Sequence, residues 1–178
     1  MLTPGPPGSV GRDSSTGNLC FESASVALRP RRERSQRLEG DVLHNLGILA
    51  LNSGRLEEAR THFQSSLQIH RKLANHRKVG QVLDMLGLLA RMAGRLDEAQ
   101  SLLDEALSIQ RRVEDRAGEV FTLAEQANLC QDRGQIDQAR RRYNEAVAGA
   151  RELGEKQVVV RVLNDLADLE MRQGHFDD

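Results

Sequence analysis

At 178 residues the chain can bury one modest core. Charged residues make up 29% of it but balance to a net charge of −1, so it has no global attraction for nucleic acid or an anionic membrane. Aromatics are only 3%, which leaves the core to Leu, Val, Ile and Ala, and no apolar run approaches the ~20 residues that span a bilayer.

Residues 1–30 hold all four prolines (Pro4, Pro6, Pro7 and Pro30), together with Gly5, Gly8, Gly11 and Gly17. So broken and polar a segment is expected to be disordered. Its start has prolines and glycines where a signal peptide needs an apolar stretch, so the expected location is the cytoplasm, with Cys20 and Cys130 as reduced thiols. The arginine-rich stretch RPRRERSQR, residues 29–37, has no interleaved aromatics on which bases could stack. It reads as a lead-in, with a helix over 31–39, and no nucleic-acid partner is expected.

From Gly40 onward there is no proline, and a repeat emerges. Gly54, Gly94, Gly134 and Gly174 recur every 40 residues, as do Ala59, Ala99 and Ala139, and Leu43, Leu83, Leu123 and Leu163. A period in this range marks stacked supersecondary units. Before the glycine, Leu43, Leu46, Gly47 and Ala50 fall at helical spacing, as do Leu83, Leu86, Gly87 and Ala90. After it, Ala59, Phe63 and Leu67 form a second stripe, matched by Ala99, Leu103 and Leu107, then Ala139, Tyr143 and Val147. The glycine itself suits a helix end in the left-handed conformation. The second helix opens on acids (Glu57, Glu58; Asp97, Glu98; Asp137) and closes on bases (Arg71, Lys72; Arg111, Arg112; Arg151), matching the helix dipole. Gly47, Gly87, Ala127 and Ala167 are expected to let the first helix approach its neighbour closely. The predicted units are 40–79, 80–119 and 120–159, with a half unit over 160–178.

These residues resemble the tetratricopeptide repeat (TPR) family. LHNLGILALNSGRLEEARTHFQSSL supplies Leu46-Gly47, Gly54, Ala59 and Phe63 of its pattern, with Ser66 in place of the second alanine. The next unit supplies Leu86-Gly87, Gly94, Ala99 and Ala106, with Leu103 in place of the aromatic. The third supplies Ala127, Gly134, Ala139, Tyr143 and Ala146, and LNDLADLEMRQGHFDD matches half of another. The period exceeds the 34 residues typical of the family, and the extra residues are expected where the second helix runs on, as in IHRKLANHRKV and IQRRVEDRAGE. That resembles the longer variety found in kinesin light chains and bacterial multidomain regulators. The last first-helix would present Val160, Leu163, Leu166 and Leu169 with little to cover them. The chain therefore reads as a fragment, with a homodimer edge as the alternative.

The resemblance implies an all-α, right-handed solenoid of antiparallel helix pairs whose concave surface, lined by first helices, holds a peptide or partner helix. The candidate binding face comprises Asp41, His44, Ile48, Gln81, Asp84, Leu88, Phe121, Asn128, Arg161, Asn164 and Asp168. Ala124 sits on the same face. TPR domains that grip the C-terminal carboxylate of heat-shock chaperones use lysine, asparagine and arginine here. This chain offers His44, Ile48, Met85, Phe121 and Glu125, or, one unit along, Asp84, Leu88, Glu125 and Asp165. A neutral or basic segment is therefore the expected partner. No HExxH pair, zinc-spaced Cys/His cluster, G-x-S-x-G motif or phosphate loop is present, so no catalytic residue, metal or cofactor is expected. The alternative role is a regulatory segment of a larger signalling ATPase or transcription regulator.

Overall fold

The computed structural model describes the backbone of residues 15–172 and the side chains of residues 30–172. Seven helices make up the described chain: α1 (Ser15–Asn52), α2 (Leu56–Lys72), α3 (His76–Met92), α4 (Leu96–Arg112), α5 (Arg116–Asp132), α6 (Ile136–Glu152) and α7 (Lys156–Arg172). The chain divides into two compact units, Met1–Gln36 and Arg37–Asp178. Residues 15–30, expected to be disordered, are assigned to α1, which passes through Pro30. A proline removes one N–H donor from a helix without stopping it when the flanking turns hold. Residues 1–14 and Gly174 lie outside the described residues.

Helices α2 to α7 are each 17 residues long. Helix starts therefore fall every 20 residues and helix pairs every 40. Each connection is the same turn. Arg55, Asn75, Arg95, Asp115, Gln135 and Glu155 each donate a backbone N–H back to the carbonyl five residues earlier, at 2.8–3.1 Å. The residue before each donor is left-handed, which satisfies the last carbonyls of the helix. Gly54, Gly94 and Gly134 take this place with φ of 72–73°, as the glycine spacing predicts.

The other three turns were hidden in the sequence. The second helix does not run on through IHRKLANHRKV: α2 stops at Lys72 and α3 opens at His76. The left-handed residue is Ala74 (φ 50°) there and Glu114 (φ 55°) one unit later, and only at Gly154 (φ 71°) does a glycine mark it. Asn75 and Asp115 accept side-chain hydrogen bonds from the backbone N–H of Lys78 and Gly118, capping the helices that follow. IHRKLANHRKV thus holds the end of α2, a three-residue turn and the start of α3, and the 40-residue period is two 17-residue helices with two such turns.

Packing follows a hole-and-filler rule. A Cβ added to Gly47 would lie 2.6 Å from the Phe63 ring, and one on Gly87 would lie 2.8 Å from Leu103 Cγ. Phe63, Leu103 and Tyr143 are all fully buried, and Ala127 takes the small-residue place in the third pair. Helices α1, α3 and α7 also have a second apolar side, whereas α5 has Thr122 and Gln126 at two of its three positions. On α3 that side is Val82, Leu86 and Leu89, all buried, whereas the same positions on α1, Val42, Leu46 and Leu49, are 56%, 41% and 58% exposed. Leu46 is therefore not core, as its spacing implied. On α7 the outcome reverses: Leu169 is buried and Leu166 packs on the core, while Val160 and Leu163 stay exposed.

Two substitutions test these rules by denaturant unfolding. Gly87→Ala is expected to lose about 1–3 kcal/mol from overpacking against Leu103. Glu114→Gly, which relieves a left-handed non-glycine residue, is expected to gain about 1 kcal/mol.

Candidate functional site

The first helices α1, α3 and α5 bring the predicted face together only in part. His44 and Ile48 from α1, Gln81, Asp84 and Met85 from α3, and Phe121 from α5 line one recess of about 300 Å3. Its wall also includes Asp115, Ala117 and Gly118, at the turn missed in the sequence. Asn128 and Asp168 lie in a second, polar recess of about 200 Å3, with Arg91, Asp132, Tyr143 and Asp165. Leu88, Asn164 and Arg161 line neither. Arg161 instead places its guanidinium 5.7 Å from the centre of the Phe121 ring. Asp41 is occupied by Lys78, whose Nζ is 3.1 Å away. A larger hollow of about 570 Å3, between the α4 end, the α5 start and α6, is lined by Arg111, Arg116 and Glu119, with both arginines paired to Glu119.

Burial corrects the charge reading of the face. Asp84 is 2% exposed and is no free groove carboxylate. It accepts a 2.6 Å hydrogen bond from Gln110 Nε2 and lies 2.6 Å from Thr122 Oγ1. Glu125, also buried, has its carboxyl raised by desolvation and partly offset by Arg91, whose Nε is 3.4 Å away. Asp165 and Asp168 remain as acids of the second recess, with burial raising Asp165. Burial, ahead of the neighbouring Lys78 charge, pushes the His44 pKa down, and its ring sits 5.5 Å from Phe63.

The second recess is built on Tyr143. Its hydroxyl donates to Asn128 Oδ1 at 2.6 Å and faces Gln131 Oε1 at 3.1 Å, and burial raises its pKa. Asn128, read as a free peptide-binding amide, thus spends its oxygen on the protein. Arg91 reaches Asp132 at 3.1 Å from the same side. Neither Arg91 nor Tyr143 was singled out for this face, because one is beyond the apolar stripe and the other belongs to the second helix.

Tetratricopeptide repeat models match residues 38–112 and 120–145, together more than half of the chain. The chain belongs to the tetratricopeptide repeat family. Its fold is similar to a putative kinesin light chain of Podosopora anserina with nearly identical TPR-like repeats, at TM-score 0.62 and 22% identity, covering 82% of this chain and 68% of that one. A single-substitution variant of that protein gives TM-score 0.61 at 22% identity, covering 82% and 68%. BtubC (BKLC) of P. vanneervenii gives TM-score 0.56 at 14% identity, covering 78% of this chain and 66% of that one. The TPR chain thus spans about two thirds of the length of these structures. No curated protein matches its sequence. The TPR array is an all-α solenoid of the kind that serves protein interaction. Among the described residues no helix is long and apolar enough to cross a membrane, and no three metal-ligating side chains assemble.

Tyr143→Phe tests the second recess. Losing the donor to Asn128 is expected to lower stability by about 1 kcal/mol, measured by urea unfolding.

Proposed function

We propose that this TPR array is a non-catalytic interaction module that holds a neutral or basic peptide segment, or a partner helix, against its concave first-helix face. The observation that carries the reading is the recess of about 300 Å3 assembled from three successive first helices. Ile48, Met85 and Phe121 supply its apolar contacts, half-buried and open to an incoming side chain. A repeat face of this kind binds by presenting side chains at a fixed interval along an extended partner. The lining of the 300 Å3 recess carries no lysine or arginine, which favours a segment without an acidic terminus, while in the second recess Asp165 and Asp168 stand beside Arg91 and Arg172. Arg161, Asn164 and Leu88 extend the face beyond the recess. A second copy of the chain packed on α7 would cover Val160 and Leu163, and Val160 lines a hollow with Arg151, Gly154, Lys156 and Val159, but that hollow draws on one end of one helix pair, so the first-helix face is the preferred site.

An immobilised array of 12-residue peptides, graded from acidic to basic, tests this reading. Neutral and basic members are expected to retain the protein, and Ile48→Asp or Phe121→Ala to weaken retention about tenfold. A preference for acidic peptides, or equal binding by both variants, would overturn it.

A further inference from the structure

Asp84, Gln110 and Thr122 come from three different helices, α3, α4 and α5, and their hydrogen bonds do not balance if Asp84 is ionised. Gln110 Nε2 donates to Asp84 Oδ2 at 2.6 Å. Thr122 Oγ1 lies 2.6 Å from Asp84 Oδ1 and 2.6 Å from Gln110 Oε1, with the Gly118 carbonyl at 3.1 Å. A hydroxyl has one proton to give. If it goes to Asp84, Gln110 Oε1 is held against an oxygen with no hydrogen between them. If it goes to Gln110, Asp84 Oδ1 is in the same position.

One added proton closes the set. Asp84 Oδ1–H donates to Thr122 Oγ1, Thr122 donates to Gln110 Oε1, and Gln110 Nε2–H donates to Asp84 Oδ2. Each member then gives once and accepts once around a ring. Turning the Gln110 amide over does not change the count, because its oxygen would then face Asp84 Oδ2 and require the same proton there. We propose that a proton on Asp84 locks α3, α4 and α5 together and that its loss loosens the floor of the first-helix recess. The lock stands on the ring alone, while its regulatory meaning rests on the recess being the binding surface.

The surroundings act in the same direction. Burial first, then the carboxylates of Glu125 and Asp115, push Asp84 up to about 7 against the hydrogen bonds that lower it. Glu125 is shared with Arg91, and Asp115 has Arg77 at 3.5 Å, so neither brings a free cation to Asp84. From α1, His44 lines the same recess and burial lowers its pKa, so it is already neutral above the ordinary histidine range. From α4 the facing group is the uncharged Gln110. A carboxyl raised on folding contributes its full stability below the unfolded value, near 4, and loses that contribution as pH rises through about 7.

The test compares the chain with Asp84→Asn, whose amide can donate to Thr122 and accept from Gln110 with no titratable proton. Between pH 6 and pH 8 the melting midpoint of the parent is expected to fall by roughly 5 °C, and that of Asp84→Asn to stay level beside it. In the parent, carbon-13 NMR of the Asp84 carboxyl is expected to titrate near 7, and this measurement needs no variant to fold. The recess is read separately by fluorine NMR of the chain labelled with fluorophenylalanine, the Phe121 signal being assigned by Phe121→Leu. It is expected to move with the Asp84 titration in the parent and not in Asp84→Asn. A carboxyl titrating near 4, or parallel melting profiles, would overturn the lock. A Phe121 signal that ignores the titration would overturn the effect on the recess. Both results are independent of the peptide array.

Discussion

A large side chain on one helix can sit between two helices only where the residue facing it is small, and that constraint recurs in each of the three helix pairs. Phe63 rests over Gly47 and Leu103 over Gly87, both too close for even a methyl group. The same rule governs the next layer, where His70 and Ile69 press on Gly40 and Gln110 fills the space beside Gly80 and Gly118. In the third pair the sizes are exchanged. Val120 stands where Gly40 and Gly80 stood, and the opposing helix answers with Gly149, whose Cβ would lie 2.8 Å from Val120. Large and small residues thus trade sides at the contact, as close packing requires.

That spacing is what gives the first helices a common face. With identical turns on both sides of every helix, residues 40 apart occupy equivalent places, and a recess can draw on α1, α3 and α5 at once. Equivalence of place does not mean equivalence of role. His44, Asp84, Ala124 and Asn164 share one position, yet Asp84 is committed to the interior while Asn164 is exposed. The difference comes from the opposing helices, which offer Asp84 a glutamine and a threonine. Surface pairs such as Arg60–Glu98 and Arg133–Asp97 cross between successive second helices or between α4 and the turn after α5, and contribute little individually. The three consecutive arginines 140–142 go to Glu170, the Asp137 carbonyl and Glu145 respectively, so they form no patch.

How far this could be read from the chain depended on whether each signal was local. The Gly54, Gly94 and Gly134 turns were legible because glycine is the residue that enters the left-handed region freely, and the spacing repeats. The alternate turns were missed because Ala74 and Glu114 adopt that conformation without advertising it. The caps Asn75 and Asp115 were the available local clue. Apolar stripes assigned the candidate residues to first helices, since 3.6-residue periodicity is a property of one segment. They could not show that Asp84 is buried, because its partners lie 26 and 38 residues away. Nor could they show that Leu46 is exposed, since exposure depends on the helix that stands beside it.

The claim on which the rest stands is that first and second helices are spaced by small residues opposing large ones. A double-mutant cycle on Gly87 and Leu103 addresses it directly, with Leu103→Ala vacating the space that Gly87→Ala needs. If the meshing sets the spacing, the double variant is less destabilised than the sum of the single variants by more than about 1 kcal/mol. Additivity within about 0.5 kcal/mol would mean that the two residues do not share that space, and the account of the array would fail.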